Sequence, residues 1–149
     1  MRPRLRGYTL IELLVVIGAL GIIAAIALPL YAGQTDSAQS VKTGAHFLDA
    51  LRIAEQEFIK DQQLEGIGQP GSLPLNEGEW IQRFDNDGSA LAPGGGPAFI
   101  AGNTGDAVTG AIGIIWDPGN ERLALHQPAY TGLSAATAEV TAEETRRLP

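Results

Sequence analysis

Residues 7–31 read GYTLIELLVVIGALGIIAAIALPLY, and this stretch decides what kind of chain this is. From Leu13 to Leu28 every residue is apolar or glycine. At about 1.5 Å rise per residue that run makes a helix of roughly 24 Å. Adding Tyr8 to Ile11 and Leu30 to Tyr31 brings it to about the 30 Å of a bilayer core. Arg2, Arg4 and Arg6 stand in front of it, which places the N-terminus on the cytoplasmic side by the positive-inside rule. One residue breaks the pattern: Glu12 sits at the head of the apolar run.

A secretory signal peptide or a plain signal anchor has the same basic start and apolar stretch. Neither gains anything from Glu12. A carboxylate within a membrane helix costs about 2.5–3.5 kcal/mol near the centre and less near the interface. A third reading supplies it with a partner. If the chain is cut after Gly7, Tyr8 becomes a new N-terminus carrying a positive amine. In an assembly of copies, that amine would sit beside the Glu12 carboxylate of a neighbour. Buried charges are tolerated when paired, and the pairing would fix the axial register of the subunits.

Arg6-Gly7-Tyr8-Thr9-Leu10-Ile11-Glu12 resembles the cleavage and methylation site of type IV prepilins. The apolar run that follows is similar to the first half of the pilin helix. The resemblance covers about the first thirty residues, and the short leader is most like the type IVa group. The family usually has Phe where Tyr8 stands. By resemblance, Gly7 precedes the cut, Tyr8 is the N-methylated new terminus, Glu12 is the assembly glutamate and Pro29 kinks the helix. Pro29 also removes a backbone donor, so a bend or local melt is expected near Ala25 to Pro29. Gly18 and Gly21, with Ala24, Ala25 and Ala27, allow close helix approach in an apolar medium.

The expected organisation is a leader at 1–7, a transmembrane and filament-core helix at 8–31, an amphipathic second half at 32–62 and a globular β domain with variable loops and tail at 63–149. The fold class is α+β: a long N-terminal helix, membrane-inserted in its first half, packed on a small antiparallel sheet. Ala38, Val41, Ala45, Leu48, Leu51, Ala54 and Phe58 recur at three- and four-residue spacing and mark the apolar stripe of the second half. Ser37 could instead cap a separate helix. His46 lies on this helix and reads as a boundary residue. Glu55 and Glu57, two apart, point to different sides and read as a solvated face.

Gly66 to Gly78 is a connector with Gln69-Pro70-Gly71 as its turn signal. Glu79 to Phe84 reads as a strand or short helix anchored by Trp80. Residues 92–97, APGGGP, read as a flexible surface loop. Residues 111–116 and 121–127 flank Asp117-Pro118-Gly119-Asn120 as an antiparallel hairpin. After Tyr130 the chain is rich in Ala, Thr and Glu, and Ala142 to Leu148 reads as a short helix or a disordered tail.

Composition limits the chemistry. There is no cysteine, which excludes disulfides, thiolate metal sites and cysteine catalysis. The formal charge is −7, and without the three leader arginines the rest is more acidic still. Such a body is a poor nonspecific nucleic-acid binder, and no nucleic acid is expected among its partners. Asp85 and Asp87, in Asp85-Asn86-Asp87-Gly88, are weak calcium candidates. The EF-hand spacing fails, because the sixth position is Ala90 and the twelfth is Gly96. A tight turn with Gly88 at positive φ is the competing reading; no cofactor is otherwise expected.

The resemblance implies a non-enzymatic structural subunit. It would be held in the inner membrane as a single pass, processed by a prepilin peptidase, and drawn by an assembly platform with minor pilins into a homo-oligomeric helical filament at the surface or in the periplasm. Membrane lipid would surround it before assembly. A surface pilin for adhesion, twitching or DNA uptake is favoured over a pseudopilin of type II secretion. Many type IVa major pilins close a C-terminal loop with a disulfide that this chain cannot make, yet the calcium-loop ending of major pseudopilins is not recognisable here. An extracytoplasmic binding module on a simple anchor is the alternative of another class. A secreted enzyme has no supporting residues.

Overall fold

The computed structural model describes residues 8–102 and 104–148. The chain divides into two compact units, Met1–Thr35 and Asp36–Pro149. A single helix, α1 (Leu10–Gly66), supplies residues to both. Its assignment is continuous through Gly33 and Ser37, so the second half continues the first rather than starting a separate helix. Pro29 lies inside it.

In the first unit, the large apolar residues from Tyr8 to Tyr31 are all exposed. An apolar helix with no buried face has no core of its own to join and needs an apolar surround.

The second unit is built around the later turns of α1. Thr43, Phe47, Ala50, Leu51, Ala54, Phe58 and Asp61 are buried there, at the three- and four-residue steps that keep one helix face in register. This corrects the expected stripe. Leu51, Ala54 and Phe58 do face inward, but Ala38, Val41, Ala45 and Leu48 are exposed. The helix carries apolar residues on more than one side, so spacing alone does not pick the side the sheet covers.

The connector leads into α2 (Glu77–Phe84), a helix rather than a strand. Asn76 caps it by accepting from the Glu79 amide at 3.0 Å, and Glu79 reaches back to the Leu75 amide at 2.9 Å. Trp80, fully buried, is its anchor.

Among the described residues five strands follow: β1 (Phe99–Ala101), β2 (Ile112–Asp117), β3 (Arg122–Gln127), β4 (Ala136–Val140) and β5 (Thr145–Leu148). They lie side by side in chain order. The sheet is mixed, not purely antiparallel, because β1 and β2 run parallel while the later pairs are antiparallel. A parallel step needs the chain to travel back before re-entering, usually over a dozen residues or more. Here the return is tight and folds over the strand itself. The Gly102 amide donates to the Ile114 carbonyl at 3.0 Å, and the Asp106 amide to Ala111 at 2.9 Å. The approach requires glycine. A Cβ at Gly113 would collide with the Gly105 backbone nitrogen, and Gly105 has φ +66° with the Ala111 oxygen 2.5 Å from where its own Cβ would be.

The expected hairpin is β2–β3, paired from Asp117↔Arg122 to Gly113↔His126, with its turn one residue later than the sequence suggested, at 118–121. Ala142 to Leu148, expected as helix or disorder, ends in strand β5 beside β4. The glycine-rich 92–97 loop is also tied down: the Gly94 amide donates to Thr109 at 2.8 Å, and Ala92 and Gly96 are bonded across it at 3.0 Å. Ile112, Ile114 and Trp116 alternate inward with Leu123, Leu125, Ala138 and Val140, and meet Phe47, Phe58 and Trp80 in one core. Trp80 and Trp116 lie with ring centroids 5.4 Å apart, and Phe58 stacks on Trp80 at 6.0 Å.

Candidate processing and assembly site

Gly7 lies outside the described residues. Tyr8 is the first described residue, and it is non-helical with 89% of its surface exposed. Thr9 occupies the N-cap of α1, and Glu12 stands three positions on. The Thr9 amide donates to Glu12 Oε2 at 2.8 Å and the Thr9 hydroxyl donates to the same oxygen at 2.9 Å. In return the Glu12 amide lies 3.3 Å from Thr9 Oγ1. This is a reciprocal capping box, in which two otherwise unmet helix-end donors find side-chain acceptors. The Leu13 amide then closes the first backbone turn onto the Thr9 carbonyl at 3.2 Å.

Sequence reading singled out Glu12 for its cost in an apolar helix and passed over its link to Thr9. The signal was present as the T-x-x-E spacing of a helix start. Glu12 also carries the favourable sign for the positive end of the helix dipole. The carboxylate is thus supported within its own chain. Both bonds from Thr9 go to Oε2, so Oε1 takes part in neither. Downstream, Gly18 and Gly21 have open space where a side chain would stand. They are notches on an uncovered helix surface.

The apolar part of α1 is the one helix among the described residues that is long and apolar enough to cross a membrane. Residues 2–28 match the family description "Prokaryotic N-terminal methylation motif". A type IV major fimbrial protein, FimA, of Dichelobacter nodosus (strain VCS1703A) is 35% identical over 72 residues, covering 48% of this chain and 44% of the relative. Another FimA from Dichelobacter nodosus is 35% identical over 84 residues, 56% of this chain and 52% of that protein. The N-terminus of this chain thus carries the prokaryotic N-terminal methylation motif, and its first half is similar to type IV major fimbrial proteins. The chain spans about half the length of the curated relatives it matches. No solved structure matches it.

Beyond the N-terminal segment, the other residues singled out in the sequence make local contacts. Asp85 Oδ1 accepts from the Ser89 amide at 3.0 Å and Oδ2 from the Ala90 amide at 3.1 Å. Asp87 Oδ1 accepts from the Ser89 hydroxyl at 2.7 Å, and Gly88 has φ +68°. The two carboxylates therefore shape a turn. Among the described residues no three acidic or imidazole groups gather as a metal set. His46 makes an edge contact with Phe99 at 5.9 Å. Glu57 is not simply solvated: it accepts from Arg83 at 3.0 Å and pairs with Lys60 at 3.4 Å, tying α2 to α1.

Asp61 is a polar anchor that sequence reading missed. It is buried on α1, and its Oδ1 accepts from the backbone amides of Ser72 and, at 3.2 Å, Leu73. Only the folded connector brings these amides to it.

Proposed function

We propose that this chain is a subunit of a type IV pilus-like filament on the cell surface. Its leader is removed after Gly7 by a prepilin peptidase, and Tyr8 becomes an N-methylated amino terminus. The apolar part of α1 holds the subunit in the inner membrane as a single pass until an assembly platform, with minor pilins, draws it into the filament. There the apolar helices of many copies cover one another. The Glu12 carboxylate of one copy meets the terminal amine of the next, and a subunit out of register leaves both charges unpaired in an apolar core. Pro29 supplies no amide to the Ala25 carbonyl, which makes that turn the place where the helix bends or loosens as subunits pack.

One observation carries this reading: an apolar helix surface exposed all round, headed by a lone carboxylate one turn beyond a non-helical, exposed Tyr8. The relatives' names, type IV major fimbrial proteins, favour a surface filament over a secretion piston. The test is the intact mass and N-terminal sequence of the membrane-associated protein, followed by electron microscopy of cells carrying Glu12→Leu. The expected result is a chain beginning at methylated Tyr8, and a variant that accumulates in the membrane without filaments. A chain beginning at Met1, or unchanged filaments in the variant, would overturn the proposal.

A further inference from the structure

The capping box joins two residues that both lie beyond the proposed cut. It depends on no leader residue, so it is available before processing and after it. Its effect is to place the start of the helix. Thr9 has the N-cap position, Leu10 is the first helical residue, and Tyr8 remains outside. Without a capping side chain the boundary has no fixed place. An apolar residue at the N-cap leaves amide donors unmet, and the helix then frays or slides by a residue or two.

We infer that Thr9 is a positioning residue for leader removal: with Glu12 it holds the helix start at Leu10, and so keeps Tyr8 on non-helical, accessible backbone. This rests on the processing proposed above. The step adds water across the Gly7–Tyr8 peptide bond and leaves a carboxyl on Gly7 and an amine on Tyr8. Peptide bonds are cut where the backbone is exposed and not committed to helix hydrogen bonds. A helix that begins one or two residues earlier would draw the Tyr8 amide toward its first turn.

The role separates from that of the Glu12 charge. Glutamine at this position of a capping box still accepts the same bonds. Full-length chains with Thr9→Val, Thr9→Ser and Glu12→Gln would be expressed with a prepilin peptidase, and leader removal followed by intact mass over time in the membrane fraction. Thr9→Ser and Glu12→Gln are expected to be cut at close to the unaltered rate, with Glu12→Gln failing later, at assembly. Thr9→Val is expected to be cut several-fold more slowly at equal membrane level. Equal rates for Thr9→Val and the unaltered chain would overturn the inference. So would Glu12→Gln being as slow as Thr9→Val, since the charge and not the box would then set the rate. If the unaltered chain is not cut after Gly7, the processing proposal itself fails, and that outcome is read separately from the comparison among variants.

Discussion

At the scale of single residues, two carboxylates on α1 find their hydrogen-bond donors in different ways. Glu12 has its support close by, from Thr9 three positions earlier. Asp61 reaches across to the connector and takes the amides of Ser72 and Leu73. The loop is shaped around that carboxylate: a side chain at Gly71 would come within 2.8 Å of Asp61 Oδ1. Asp61→Ala would leave two part-buried backbone donors without their acceptor. Each buried unmet donor costs about 1–3 kcal/mol. Asp61→Ala is therefore expected to lower the melting temperature by several degrees, seen by circular dichroism of the detergent-solubilised protein. Asp61→Asn keeps an accepting oxygen and is expected to lose less. An unchanged Tm for the alanine variant would mean that the connector is held by other contacts.

Among the elements, those that could be read in the sequence are those whose instructions are local. The apolar run of α1 declares itself, and so does the β2–β3 hairpin. Leu123 and Leu125 alternate with outward residues, and Asp117 draws the Gly119 and Asn120 amides at 3.1 and 3.3 Å into the turn. The turn ends one residue later than expected because Glu121 takes the left-handed conformation, φ +46°. Such a conformation disfavours a long side chain and suits Asn or Gly. Glu121→Asn is accordingly expected to raise stability by up to about 1 kcal/mol, measured as a shifted denaturation midpoint. A fall would show that the Glu121 side chain contributes something the backbone argument omits. The elements that escaped are those set from a distance. Residues 136–140, ATAEV, have the composition of a helix as much as a strand. They become β4 because Ala138 and Val140 sit opposite Leu125 and Leu123 in the core. The parallel β1–β2 pair depends on a return loop pressed against Gly113, and the inward face of α1 depends on the sheet that covers it. No local period encodes either.

Across the whole molecule, the unit with an uncovered apolar helix and the unit with a core obey different physics. Residues from Tyr8 to Tyr31 expose apolar surface and answer to their surroundings. The body from Asp36 onward has its own core and should respond to pH as an ordinary domain does. His126 bonds to Thr137 at 3.0 Å on the outer face of the sheet. Burial holds its pKa below the ordinary histidine range, and the nearby Glu139 only partly offsets this. The unfolded chain therefore takes up a proton on His126 at higher pH than the folded one. Stability is complete above the ordinary value of about 6.5 and declines as pH falls through it toward the folded value. Asp87, Asp106 and Asp117 act in the same direction lower on the scale. Their hydrogen bonds, first from Ser89, Thr109 and Asn120 side chains respectively, hold each pKa below the usual carboxylate range. Their contribution is present above about 3.9 and is lost as pH falls below it. The Tm of the body is thus expected to fall in two stages on acidification, one beginning near neutrality and one near pH 4. His126→Gln should remove the first stage and leave the second. If the variant keeps the slope between pH 7 and pH 5, some other group carries it, and the burial of His126 does not govern how this protein meets mild acid.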